Sequence, residues 1–320
     1  MISFVCYKNP KHVDVSGGKQ NAGLETSCYY AAKSLSQVGY KCSVSAVNSF
    51  EGLVGACING KYVFIQAKWL TIGDFKELRK IYPNTKFIVQ IRSNTPFLAN
   101  EYMTYKYLKE VSREGALIAF NDIRSNVFDF PAIYLPNMYY GEKVDIKRKV
   151  PDLFLDVGCF GAIRPMKNHF TQALAAIKYA ESINKTLRFH VNFTRIEHGN
   201  NNAGNLEDLF LDKKHQLVKV PWLTHIELLN YMNNLDMSMQ VSLTDSFNYV
   251  AADSVYMKVP FVGSSEIKFI YKWHPDTGSA EDIAKYLSIH SNNEHIIKYN
   301  FNQLSIFHAD AVNRWKSFLK

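Results

Sequence analysis

No stretch of about 18 uninterrupted apolar residues occurs in this chain, which excludes a membrane-spanning helix of ordinary length. The opening Met-Ile-Ser-Phe-Val-Cys-Tyr lacks the basic flank and long apolar region of a signal peptide, so the expectation is a soluble protein working in the cytoplasm. Cysteine is scarce: Cys6, Cys28, Cys42, Cys57 and Cys159 are odd in number and show no CxxC spacing. They read as reduced core thiols rather than a disulfide framework or a zinc site. There is no Asp-x-Asp, and the histidines show neither HxxxH nor HxxEH spacing, so no metal is expected. Short-period repeats and a disordered tail are also missing.

What is present is a large apolar fraction, 47% of 320 residues, enough for a sizeable core and for two domains of ordinary size. The net charge is +8, and the basic excess falls mainly in residues 1–145. Such a surplus suits an anionic partner (nucleic acid, a phosphorylated donor, an acidic membrane face) and equally an ordinary basic surface.

The first half alternates short apolar runs with amphipathic stretches, the pattern of β-α units building a parallel sheet covered on both faces. Strands are predicted at Ile2–Tyr7, Tyr40–Val47, Tyr62–Gln66, Phe87–Ile91, Ala116–Phe120 and Ala132–Leu135, and helices at Leu24–Val38, Asp74–Ile81 and Glu101–Glu114. A polar, charged stretch at 140–150 reads as a linker. A second series follows, with strands at Leu153–Cys159, Leu187–Asn192, Gln216–Val220, Met237–Gln240 and Phe261–Gly263 and helices at His169–Ile183, His225–Asn233 and Ala251–Met257. The fold class is α/β, with two doubly wound Rossmann-like halves: an N-terminal domain over 1–145 and a C-terminal domain over 151–295.

Three segments could carry chemistry. Asp245-Ser-Phe-Asn-Tyr-Val-Ala-Ala-Asp253 sets two acids eight positions apart across a predicted helix start. A helix start presents unpaired N–H groups and partial positive charge to a diphosphate, here through Ser246, Phe247 and Asn248, while an acid two turns in, Asp253, can reach a ribose. The segment from Gly161 to Asn168 lies between the first strand and first helix of the second half, with Arg164 and Lys167 as candidate diphosphate partners and Asn168 as a helix N-cap. Trp222, just after another strand, could border a flat base, although hydrophobic packing explains it as well. His190, His198, His215 and His225 are scattered and read as structural or solvated.

In the order Gly161…Lys167-Asn168, Asp245…Asp253 and Val259-Pro260-Phe261-Val262-Gly263, the second half resembles the retaining "group 1" glycosyltransferases of the GT-B fold. The Gly17-Gly18 loop, Val38-Gly39-Tyr40-Lys41-Cys42 and Leu135-Pro136-Asn137-Met138 fit the same family more loosely. The resemblance implies an interdomain cleft and a C-terminal helix, 296–320, crossing back to the first domain, with Trp315 as packing. It also implies a nucleoside-diphosphate sugar, a UDP-sugar, as co-substrate in place of any cofactor. Arg164 and Lys167 would take the diphosphate, Asp253 the ribose, and Asp245 with the following amides the sugar and phosphate, while Gly17 and Gly18 would also face the donor. Both motif acids are Asp where the family has Glu, and Ala162 stands where it has Arg.

For the N-domain histidine that the family often carries near the sugar, either His12 or Arg92 is the candidate. An inverting enzyme would instead need a carboxylate base, with Asp14, Glu25, Glu101 and Asp122 as candidates. The expected reaction is sugar transfer with retention to a hydroxyl on a glycan or on a hydroxymethylated DNA base. Small size and a composition rich in Lys, Asn, Ile and Tyr resemble phage enzymes that glycosylate modified bases. The alternatives are a non-catalytic two-lobed binding protein and a nucleotide-sugar epimerase of the same fold; the oligomeric state is left open.

Overall fold

The computed structural model describes residues 1–7, 23–98, 101, 103–123, 127–147, 149–150, 152–211, 214–291 and 293–320. His12, Asp14, Gly17 and Gly18 lie outside the described residues. The chain divides into two units, Met1–Tyr140 with His308–Lys320, and Gly141–Phe307.

In the first unit, β1 (Ile2–Tyr7), β2 (Cys42–Val47), β3 (Tyr62–Gln66), β4 (Lys86–Ile91), β5 (Leu117–Phe120) and β6 (Ala132–Tyr134) form a sheet in the order β2-β1-β3-β4-β5-β6. Every neighbouring pair is parallel. A parallel sheet covered on both faces needs strands apolar on both sides, and Tyr-Val-Phe-Ile-Gln of β3 is buried at every position. Between the strands run α1 (Gly23–Gln37), α2 (Phe50–Cys57), α3 (Ile72–Ile81), the single turn α4 (Thr95–Leu98) and α5 (Thr104–Arg113). The Thr71 hydroxyl starts α3 by accepting the Asp74 N–H at 3.1 Å. The sequence reading had no counterpart for α2, although its N-cap Ser49 accepts the Gly52 N–H at 3.1 Å.

One core layer of this unit holds Phe4 stacked on Phe64 at 5.1 Å, with Trp315 4.8 Å from Phe64. Trp315 is fully buried and donates its indole N–H to the Pro136 carbonyl at 2.8 Å. The end of the chain is therefore part of the first unit's core, as the resemblance implied for Trp315.

The second unit orders β7 (Phe154–Gly158), β8 (Thr186–Asn192), β9 (Gln216–Val220), β10 (Met237–Gln240) and β11 (Phe261–Gly263) as β11-β10-β7-β8-β9, again with parallel neighbours. Its helices are α6 (His169–Ser182), α7 (Asn200–Leu209), α8 (His225–Met232), α9 (Tyr249–Tyr256) and α10 (Ala280–His290), while α11 (Glu294–Leu319) begins here and ends in the first unit. The core packs Val157, Phe189, Met239 and Val262 against the small face of α6, Ala173, Ala176 and Ala180, and against Ile283 and Leu287 of α10.

The polar stretch read as a linker is tied to this unit. Lys147 N–H donates to Asn233 Oδ1 and the Asn233 amide to the Asp145 carbonyl, both at 2.9 Å, and the Tyr256 hydroxyl donates to the Glu142 carbonyl at 2.9 Å. Lys149 reaches Asp236 at 2.7 Å and Asp156 at 2.5 Å. Asp156, on β7 and 2% exposed, also receives Arg188 at 2.5 Å and His190 at 2.8 Å. The five cysteines are all free, and only Cys42 is not fully buried.

Candidate functional site

An open parallel sheet binds ligands beyond the carboxyl ends of its strands, at the point where strand order reverses. In the second unit that point lies between β7 and β10, because the chain goes from β7 outward to β8 and β9 and then crosses to β10 on the other side. The two segments singled out in the sequence leave the carboxyl ends of these two strands.

After β7, Gly161 turns at φ +102°, a left-handed conformation that favours glycine, and its N–H donates to Asn192 Oδ1 at 2.9 Å. Ile163 then pairs with Ile196 of the loop after β8, through N–H bonds from Ile163 to Arg195 and from Glu197 to Ile163. Gly199 closes in so tightly that a Cβ there would stand 2.5 Å from the Ile163 carbonyl oxygen. A 3-10 turn over Pro165–Lys167 leads into Asn168, which precedes α6 at φ +57°.

Here the structure differs from the sequence reading: Asn168 does not cap α6 with its side chain. A capping side chain needs an extended backbone at that residue, and a left-handed one turns it away. The Asn168 amide instead donates to the carbonyls of Val241 at 3.1 Å and Thr277 at 2.8 Å. Gln172 adds a second clamp, accepting the Val241 N–H at 2.7 Å and donating to the Lys167 carbonyl at 2.7 Å. With the Leu243 N–H on the Met166 carbonyl at 3.0 Å, the two loops are joined along their length.

That junction puts Lys167 Nζ 2.6 Å from Asp245 Oδ2, with side chains 20% and 10% exposed. Asp245 Oδ2 also accepts the Asn248 amide at 2.8 Å, and Oδ1 accepts the Ser246 N–H at 3.1 Å. Asn248 is the true N-cap of α9, its Oδ1 accepting the Ala251 N–H at 3.0 Å, so the helix does begin between the two acids. Phe247 packs its ring among Tyr249, Phe269 and Phe307, with centroids 4.8–5.6 Å away. At the first position of α6, His169 is 1% exposed, and burial, with the charge of Lys167 adding, pushes its pKa down to about 3.

Asp253 lies in the second turn of α9, 2% exposed, with Oδ1 2.9 Å from His225 Nε2. Burial works against a charged His225 ring, but the hydrogen bond and charge of Asp253, together with Glu142, outweigh it and raise the pKa above the ordinary histidine value. His225 opens α8 after a capping box of Thr224 and Glu227. Nothing in linear spacing joins α8 to α9, so the sequence alone leaves His225 among the scattered histidines.

Arg164 pairs with Glu197, which also takes Arg195 at 2.6 Å, and the Arg195 guanidinium lies 4.5 Å over the Trp222 ring. Trp222 is half-buried and its N–H donates to Thr194 Oγ1 at 2.9 Å. Arg195 and Glu197 were missed in the sequence; their only signal was position, directly after a strand of the same sheet. In the first unit, Arg92 Nε donates to Gln66 Oε1 at 2.8 Å, and the fully buried Gln66 in turn donates to Gln90 at 2.8 Å. Glu101 accepts the hydroxyls of Ser93 and Thr104, and Asp122 is buried.

Among the described residues, no group of His, Cys, Asp or Glu side chains could hold a metal ion, and no helix is long and apolar enough to cross a membrane. A cavity of about 300 Å³ lined by Tyr271, Trp273, Tyr286 and His295 contains none of the site residues.

No family model matches the chain, and no curated protein was found similar to it. Solved structures do match. Trehalose-6-phosphate synthase OtsA superposes at TM-score 0.70 with 11% identity, over 100% of this chain and 98% of that one. Sucrose-phosphate synthase from Thermosynechococcus elongatus gives 0.65 and 14%, with coverage of 100% and 98%. Anabaena HepE, solved with UDP and glucose, gives 0.64 and 11%, with coverage of 100% and 99%. Likeness at this level of identity over whole chains establishes the fold, and the protein is a two-domain α/β chain of the GT-B fold.

Proposed function

We propose that the protein is a glycosyltransferase that moves a sugar from a UDP-sugar to a hydroxyl acceptor with retention. The observation that carries this reading is the Lys167–Asp245 pair at the strand-order reversal of the second unit, with the start of α9 beside it and Asp253 in the second turn of that helix. Solved neighbours of the same fold support it: HepE was solved with UDP and glucose, and the O-GlcNAc transferase GtfA with UDP and GlcNAc.

When a sugar leaves a diphosphate, negative charge grows on the phosphate oxygens and positive charge on the anomeric carbon. Lys167 and Arg164, held by the carboxylates of Asp245 and Glu197, are cations suited to the first of these. Asp253 accepts a ribose hydroxyl with the carboxylate that His225 holds in place. In the retaining reaction the acceptor hydroxyl attacks the anomeric carbon from the face the phosphate leaves. Its proton passes to the departing phosphate oxygen, so no protein nucleophile is consumed. Trp222, backed by Arg195, is the flat surface for the base.

Screening UDP-sugars for thermal stabilisation, then assaying sugar release and transfer, tests the reading. Lys167→Ala and Arg164→Ala are each expected to lower kcat roughly a hundredfold, the cost of removing one preplaced charge stabiliser. Near-normal turnover in both would put the diphosphate elsewhere. The acceptor is proposed to be a glycan or a hydroxymethylated DNA base. Duplex binding that weakens steeply with salt marks the second, and salt-insensitive binding removes it.

A further inference from the structure

The resemblance puts Asp245 next to the transferred sugar, yet its carboxylate is bonded to groups of the protein itself. Oδ2 is shared by the Lys167 ammonium and the Asn248 amide, and Oδ1 takes the N–H of Ser246, the very next residue. An aspartate one methylene shorter than glutamate stays against its own loop, and three donors hold it there. A second carboxylate reaches the same place from the neighbouring strand. Glu266 follows the carboxyl end of β11 by three residues, is half-buried, and puts Oε2 3.3 Å from the Asp245 N–H. A carboxylate accepts several donors at once, so the bond to the Asp245 N–H is compatible with further donors at the same group.

Resting on the UDP-sugar reading above, we infer that Glu266 is the carboxylate that accepts the hydroxyl hydrogens of the transferred sugar, while Asp245 orients Lys167 for the phosphate. Two carboxylates on adjacent strand ends, offset by one lysine, also set the class of sugar. Neutral hexoses and N-acetylhexosamines present donors to Glu266, whereas a uronic acid would bring a third carboxylate against the first two.

The test measures binding of UDP, UDP-glucose, UDP-N-acetylglucosamine and UDP-glucuronate to the full chain and to Glu266→Gln, with Tm recorded for both. Glutamine retains a carbonyl oxygen for the Asp245 N–H but loses the charge, so a merely structural role survives the change. Wild type is expected to bind its better neutral donor at least tenfold more tightly than UDP-glucuronate. Glu266→Gln is expected to keep UDP affinity and Tm, to weaken the neutral donor roughly tenfold, and to narrow the discrimination. The inference is overturned if the ratio of donor to UDP affinity is unchanged in Glu266→Gln, or if UDP and donor affinities fall together. Failure of wild type to bind UDP or any UDP-sugar has a different meaning: it rejects the donor site itself, and Glu266's role with it.

Discussion

Asp253 shows what a single residue gains from its surroundings. In the sequence it is an acid two turns into a helix; in the fold it is 2% exposed and held by His225. Replacing it with alanine would leave the histidine facing an empty buried site, confusing lost binding with lost stability. Asp253→Asn is the cleaner change, expected to raise the donor dissociation constant about tenfold while shifting Tm little; unchanged donor affinity rejects the ribose role. His225 adds a pH signature. Its pKa is raised in the folded state, so the stability it contributes is fully present below about pH 6.5, the unfolded value, and is lost as pH rises through the folded one. The Tm difference between wild type and His225→Gln is expected to be largest at pH 6 and to shrink toward pH 8.5. A constant difference across that range would separate the pair from any charge on His225.

At the scale of elements, α9 is where local structure and site are the same object. Asn248 caps the helix with Oδ1 while its amide joins Gln240 at 2.8 Å and Asp245 at 2.8 Å. Asn248→Ala is expected to destabilise the Gly141–Phe307 unit by about 1–2 kcal/mol, read by calorimetry as a lower transition temperature, and to weaken UDP binding as well, since Asp245 and Lys167 lose a support. A loss of stability with UDP affinity untouched would reduce Asn248 to a cap alone.

The same element explains how far the sequence could be read. Strands Tyr62–Gln66, Gln216–Val220, Met237–Gln240 and Phe261–Gly263 match their predicted bounds, because short apolar runs between turn residues admit little else in a buried parallel sheet. Helices α2, α7 and α10 went unread for different reasons. The sequence of α7 opens on a run of asparagines, poor helix formers, whereas α10 carried a usable signal in Ser279 followed by Glu281 and Asp282. Within the site, Arg164, Lys167, Asp245 and Asp253 were legible as spaced types. Their partners Glu197, His225 and Glu266 were not, since each comes from another loop or helix and is brought near only by the strand order.

On the scale of the whole molecule, the polar stretch over 140–150 reads in the sequence as a linker, and Lys149 ties it to Asp156 and Asp236 of the second unit. Burial works to raise the Asp156 pKa, and hydrogen bonds from His190, Arg188 and Lys149 overcome it, holding the carboxyl far below the usual carboxylate range. A depressed folded value means that the stability Asp156 contributes is present above about pH 3.9 and is lost as pH falls through the folded value. Asp156→Asn leaves the half-buried Lys149 and Arg188 short of one counter-charge and is expected to cost roughly 2–4 kcal/mol at pH 7. Two-domain chains unfold in more than one step, so calorimetry is the suitable measurement. The transition of Gly141–Phe307 should fall in temperature at pH 7, with a smaller difference from wild type at pH 3. A uniform shift of both transitions would mean that the cluster stabilises the chain as one body rather than the unit that contains it.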